Sequence, residues 1–244
     1  MLTMRKRVGR LVAALSLLCL AVPVRAVGDF FAKKPYQNWS AEETRSLLEE
    51  SPWATTLKLG GIQNAITSGD APNNRGYRSE METDPTISYN LQFRSALPIR
   101  EAQVRSSQLS SHYDKMSMEQ KAAFEASAGK FLAVAFPDRV VVSVTFHTNV
   151  EEYESSLRNY WASQSLAKLS MKVYLNTQAE RLSLMGYSFK DDTFQFTFPR
   201  PKQVQPDETI SVEFVHPKID VIGPQRILQP FSLKKMRVNG EPTF

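Results

Sequence analysis

Three serines each precede a lysine by three positions: Ser127 with Lys130, Ser165 with Lys168, and Ser232 with Lys235. On a helix this spacing sets an amine one turn from a hydroxyl, where it can help to activate a serine nucleophile. The Ser-Asp-Asn and Lys-Thr-Gly elements that accompany such a serine in penicillin-recognising enzymes are absent. Serine and lysine are common, so the simpler reading of all three pairs is helix or strand surface. Gly186-Tyr187-Ser188-Phe189-Lys190 lacks the closing glycine of a nucleophile elbow. Ala128-Gly129-Lys130-Phe131 resembles the end of a phosphate-binding loop. It lacks the earlier glycine and puts Phe131 where a magnesium ligand needs a hydroxyl.

The remaining candidates are acids and imidazoles. Glu151-Glu152 and Asp191-Asp192 could serve glycoside hydrolysis as paired carboxylates. The first pair also suits the opening turn of a helix, and the second a turn apex. His112, His147 and His216 have no helical ligand spacing, and no His-Glu-x-x-His occurs. All three read as strand-edge or surface side chains. No catalytic, cofactor-binding or metal-binding residue is assigned, and no cofactor is expected.

The elements that would carry these residues can be read from caps and periodicity. Val27 to Trp39 reads as irregular, with no helix before Pro35. Ser40-Ala41-Glu42-Glu43 is a capping box opening a helix to about Glu50, flanked by Trp39 and Trp53. Thr55 to Leu59 predicts a short strand, and residues 60–86 a mobile loop. Tyr89, Leu91 and Phe93 alternate with polar residues as a half-buried strand does. Pro98 opens a helix, and Ser117 to Gln120 is a second capping box. The helix after that box places Phe124, Ala128, Phe131, Leu132 and Ala135 on one predicted buried stripe. Arg139 to Thr148 alternates valines as a strand. Asn149 is expected to cap a helix with the stripe Tyr153, Leu157, Tyr160 and Trp161. From Met171 the period is that of strands, with Lys190-Asp191-Asp192 as a hairpin turn. The expected fold is α+β: residues 27–244 as a single unit, with 27–86 holding the capped helix, short strand and loop. Within it, 87–170 mixes helix and strand, and 171–244 is largely antiparallel β.

The first 26 residues read as a secretory signal peptide. Arg5, Lys6, Arg7 and Arg10 precede an apolar run from Leu11 to Val24, and Val24-Arg25-Ala26 offers small residues to a signal peptidase. The run is short of the ~20 residues of a membrane span. The 244-residue chain has a net charge of +5, but residues 1–26 hold five of its 30 Lys and Arg and none of its 25 Asp and Glu. The mature chain therefore carries 25 of each sign. Overall charge then gives no reason to expect nucleic acid as a partner. The single cysteine, Cys19, lies in the apolar run behind Leu17 and Leu18, which do not suit a lipoprotein signal. The mature chain has no disulfide and no thiolate.

Lys34-Pro35-Tyr36 with Trp39, followed by Ser51-Pro52-Trp53-Ala54, resembles the opening of a group of secreted proteins of soil bacteria, chiefly acidobacterial. Phe93 to Ala102 and Phe231 to Met236 are similar to later segments of that group. Some of its members are grouped with GWxTD-domain proteins, a motif that this chain lacks. The resemblance implies bacterial export and carries no activity or site residue with it. The expectation is an exported protein, periplasmic or else extracellular, that binds or organises another envelope protein without catalysis. The mature chain should carry no membrane span. The alternative is an envelope hydrolase whose Asp, Glu or His residues come from distant segments.

Overall fold

The computed structural model describes residues 30–60 and 84–244. The expected signal peptide and most of the loop expected over 60–86 lie outside the described residues. Six helices and eleven strands occur among those described. The helices are α1 (Phe30–Lys33), α2 (Ala41–Glu49), α3 (Leu97–Ser110), α4 (Met118–Leu132), α5 (Glu151–Ala162) and α6 (Leu166–Leu169). Most helices fall in the N-terminal half, and antiparallel strands dominate the C-terminal half, so the class is α+β.

One sheet has the order β1 (Ala54–Gly60), β2 (Thr86–Phe93), β3 (Arg139–Thr148), β7 (Thr193–Pro199) and β6 (Gly186–Lys190). The other has the order β5 (Arg181–Ser183), β4 (Tyr174–Asn176), β8 (Thr209–His216) and β9 (Gln225–Ser232). A short hairpin, β10 (Arg237–Val238) with β11 (Glu241–Pro242), closes the chain. All pairs are antiparallel. The C-terminal strands therefore divide between the sheets: β4, β5, β8 and β9 make up the smaller one. β6 and β7 complete the sheet begun by β1 to β3.

Registration explains the core. Tyr89 lies opposite Phe146, Leu91 opposite Val144, and Val144 opposite Phe194. With period-2 alternation, these rows put every large apolar side chain on one face. The facing sheet presents Ile210, Val212 and Phe214, all fully buried. Tyr89 meets Phe214 at 5.4 Å between ring centroids, and Phe93 meets Phe231 at 4.8 Å. The two sheets thus pack face to face. Helix α5 adds Tyr153, Leu157 and Trp161 to this core. The Trp161 ring stacks on Phe194 at 3.9 Å and lies 6.2 Å from Phe214.

The outer face of the larger sheet is polar where α2 and α3 cover it. The side-chain amides of Asn90 and Gln92 both donate to the Leu48 carbonyl, at 3.0 and 2.9 Å. The α2 capping box forms as read: Glu43 N–H donates to Ser40 Oγ, and Ser40 N–H donates to the Glu43 carboxylate. The second box, at Ser117 and Gln120, also forms. Asp191 and Asp192 both adopt positive φ at the β6–β7 turn, the geometry of a tight hairpin turn.

Three local expectations need correction. A single helical turn, α1, precedes Pro35, because the proline forbids only continuation. Asn149 does not cap α5. Val150 holds the cap position, while the Asn149 side chain accepts from Thr86 N–H and donates to the Asp84 carbonyl across the sheet end. The α4 stripe is not core: only Ala128 is buried, Phe124, Phe131 and Leu132 are half-buried, and Ala135 is exposed. The stripe faces α3, with Tyr113 against Phe124 and Arg94 against Phe131, rather than the packed interior of the sheets.

Candidate binding cleft

A concavity opens where the edge strands of the two sheets, β1 and β9, approach each other. It has a volume of about 750 Å³. Ser51, Pro52, Ala54 and Thr55 form one wall, at the start of β1. Pro230, Phe231 and Ser232, at the end of β9, form the other. Phe31 closes one end, and Lys234, Lys235, Arg237 and Glu50 stand at the rim.

The sequence builds these walls locally. Ser51 Oγ donates to the Leu47 carbonyl and accepts from Trp53 N–H, so the Ser-Pro-Trp turn stops α2 and aims the chain into β1. Trp53 is fully buried, and its indole N–H donates to the Thr243 carbonyl, tying the start of β1 to the end of the chain. Its ring meets Phe31 edge-on at 5.0 Å, which holds the N-terminal segment over the cleft. On the far wall, Met236 N–H donates to the Ser232 and Leu233 carbonyls. That tight turn sends Lys234 and Lys235 outward. The Arg237 guanidinium donates to the Gly240 and Pro206 carbonyls, so its charge is not neutralised by a carboxylate there.

The cleft is therefore apolar at its walls and cationic at its rim, with three cations against Glu50. It also lies between the edge strands of the two sheets, where the outward backbone groups of Ala54 are paired with Ser51 and the Ser232 carbonyl accepts from Lys235 and Met236. The Phe93 N–H donates to the Trp53 carbonyl, so the backbone groups of Trp53, Thr55 and Leu57 turn toward β2. Those of Thr56 and Lys58 turn away from it. Pro230 interrupts the edge of β9, a placement that discourages indiscriminate strand pairing.

The sequence candidates scatter. Ser232 and Lys235 line the cleft, but Ser232 ends β9 rather than standing on a helix. Ser165 caps α6, accepting from Lys168 N–H, while the Lys168 amine donates to the Ser163 carbonyl. Ser127 and Lys130 sit on the exposed side of α4. Glu151 and Glu152 occupy the first turn of α5. Asp192 binds the Arg158 guanidinium through two hydrogen bonds of 2.7 Å, which holds its carboxyl below the usual range. Trp39, Trp53, Tyr153 and Trp161 are buried as core.

Of the histidines, His112 and His147 are exposed. His216 is not: it is fully buried, with Nδ1 2.7 Å from the Tyr89 hydroxyl. Burial pulls its pKa down to about 4 and pushes the Tyr89 phenol up. This pair lies between the sheets, away from the cleft. A second groove, of about 640 Å³, collects Glu42, Glu49, Glu50 and His147 between α2 and the polar sheet face. Among the described residues no cluster of His, Cys, Asp and Glu could hold a metal ion. No helix there is long and apolar enough to cross a membrane.

Compared with protein-family models, curated proteins and solved structures, the chain finds no match in any of the three.

Proposed function

We propose that this is an exported binding protein of the bacterial envelope, without catalysis, whose cleft takes an extended acidic segment of a partner protein. The observation that carries the reading is the cleft itself: apolar walls and a cationic rim between the edge strands of the two sheets. An extended peptide supplies backbone groups to a sheet edge and alternate side chains to the walls. Acidic side chains on it would meet Lys234 and Lys235. The export half of the proposal rests on the sequence of residues 1–26 and on the resemblance to secreted soil-bacterial proteins.

Titration with a fluorescent peptide of alternating glutamate and valine tests the ligand. Binding should weaken with added salt and fall at least about tenfold when Lys234 and Lys235 are both changed to Glu. Equal binding of an alternating lysine–valine peptide would refute the proposed polarity. The alternative, an envelope hydrolase, draws on the groove holding Glu42, Glu49, Glu50 and His147. Turnover of an esterase, glycosidase or β-lactam substrate that His147→Ala or Glu49→Gln abolishes would favour it.

A further inference from the structure

A third concavity, of about 290 Å³, lies between α3 and α4 and shares no residue with the cleft. Gln103, Val104 and Ser107 of α3 form one wall. Phe124, Ser127, Ala128 and Phe131 of α4 form the other, and Arg94 stands at its base. We propose that this cavity binds a small carboxylic acid with an apolar body, its carboxylate held by Arg94 and its body between Phe124 and Phe131.

Arg94 is the reason. It follows β2 in the polar phase of the strand, and it lines the cavity with residues of α3 and α4. It is half-buried, and its guanidinium lies 5.3 Å from the centre of the Phe131 ring. Desolvation draws its pKa down, and no carboxylate counteracts that pull. The other arginines that burial shifts downward are differently placed. Arg100 donates to the carbonyls of Phe131, Leu132 and Val134, and Arg200 to those of Phe136 and Phe244. Arg94 makes no hydrogen bond or ion pair with another described residue. A guanidinium half withdrawn from water with no hydrogen-bond partner is costly, and a planar fork of donors is suited to a carboxylate.

The cavity also limits the ligand. Its volume is at the small end of ligand sites, which start at roughly 300 Å³. Only one cation lines it, which matches a monoanion better than a phosphate dianion. Two aromatic rings and Val104 give the rest of the ligand an apolar surface. The middle and the C-terminal end of α4 are secured around it. Arg100 clamps the last carbonyls of α4, and the Gln108 side chain donates to Glu125 across the helices.

Phenylacetate is a suitable probe, followed by ligand-observed NMR on the full chain, with benzyl alcohol and phenyl phosphate beside it. Phenylacetate should show saturation transfer and the other two much less. Arg94→Gln should weaken its binding at least tenfold, and Arg94→Lys should retain part of it. Ser127→Phe, on the exposed side of α4, should block the cavity without disturbing the core, as an unchanged melting temperature would verify. The proposal is overturned if phenylacetate does not bind, if Arg94→Gln binds as well as the parent, or if phenyl phosphate binds more tightly. Neither the cleft peptide nor the Lys234/Lys235 variant bears on this result, so the two sites stand or fall separately.

Discussion

Two buried ionisable residues make folding sensitive to acid, each in its own pH window. His216 has a folded pKa of about 4 against an ordinary 6.5. As pH falls below 6.5 the unfolded chain takes up the proton first, so this stability is complete above 6.5 and is lost progressively down to about 4. The loss is on the order of 3 kcal/mol. Denaturant melts between pH 7 and pH 4 should show it, and the His216→Phe variant should be flatter over the same range. Glu213 acts lower. Burial pushes its carboxyl up, but hydrogen bonds from Arg226 and Asn176 and the charges of Arg181 and Arg226 outweigh this and leave it below 4.5. Its stability is present above the ordinary carboxylate value and is lost as pH falls through the lowered one. Glu213→Gln should cost roughly 1–3 kcal/mol in a thermal melt, because a buried acceptor is replaced while the arginines remain. The surroundings of neither residue could be read in the chain. His216 continues the alternation of Ile210, Val212 and Phe214 on the inner face, a signal that the surface reading of the histidines passed over, and its partner Tyr89 comes from a distant strand.

At the level of elements, what was legible was local. Ser40 and Ser117 announce their helices because a capping box lies within four residues. Alternation in β2, β3 and β7 was equally plain, because one face of each strand packs on a core. What failed depended on neighbours that sequence does not name. The α4 stripe has the correct helical period, yet it packs on α3 at the surface and not on the core between the sheets. Its amides should exchange with solvent on the order of a hundredfold faster than those of β3, measured by native-state hydrogen exchange. Asn149 has the residue type of a cap, but the end of β2 claims its side chain. Gly60 ends β1 at a φ of +85°, where a Cβ would collide with the Pro85 carbonyl oxygen. Gly60→Ala should therefore cost about 1–3 kcal/mol in denaturant unfolding, beyond the loss expected from helix or strand propensity.

Over the whole molecule, two sheets share one aromatic core. Strands from the last third of the chain belong to both sheets, so neither half of the sequence closes a core without the other. Phe194→Ala, which removes the ring beneath Trp161, should cost roughly 3–5 kcal/mol and leave few well-dispersed resonances in a proton NMR spectrum. The same architecture leaves β1 and β9 as neighbouring edges with a cationic rim between them. Neither wall of the cleft could be paired with the other from the chain alone, since Ser51 and Ser232 are distant in sequence and their approach depends on how the sheets stack. Lys234 and Lys235 were visible as residues, but only the turn after β9 sets them over an apolar wall. The most direct measurement is backbone amide chemical-shift mapping with the alternating glutamate–valine peptide. The expected result is a set of shifts confined to residues 51–58 and 230–237 that saturates with peptide; no shifts there, or shifts spread evenly over the surface, would contradict the cleft as the recognition site.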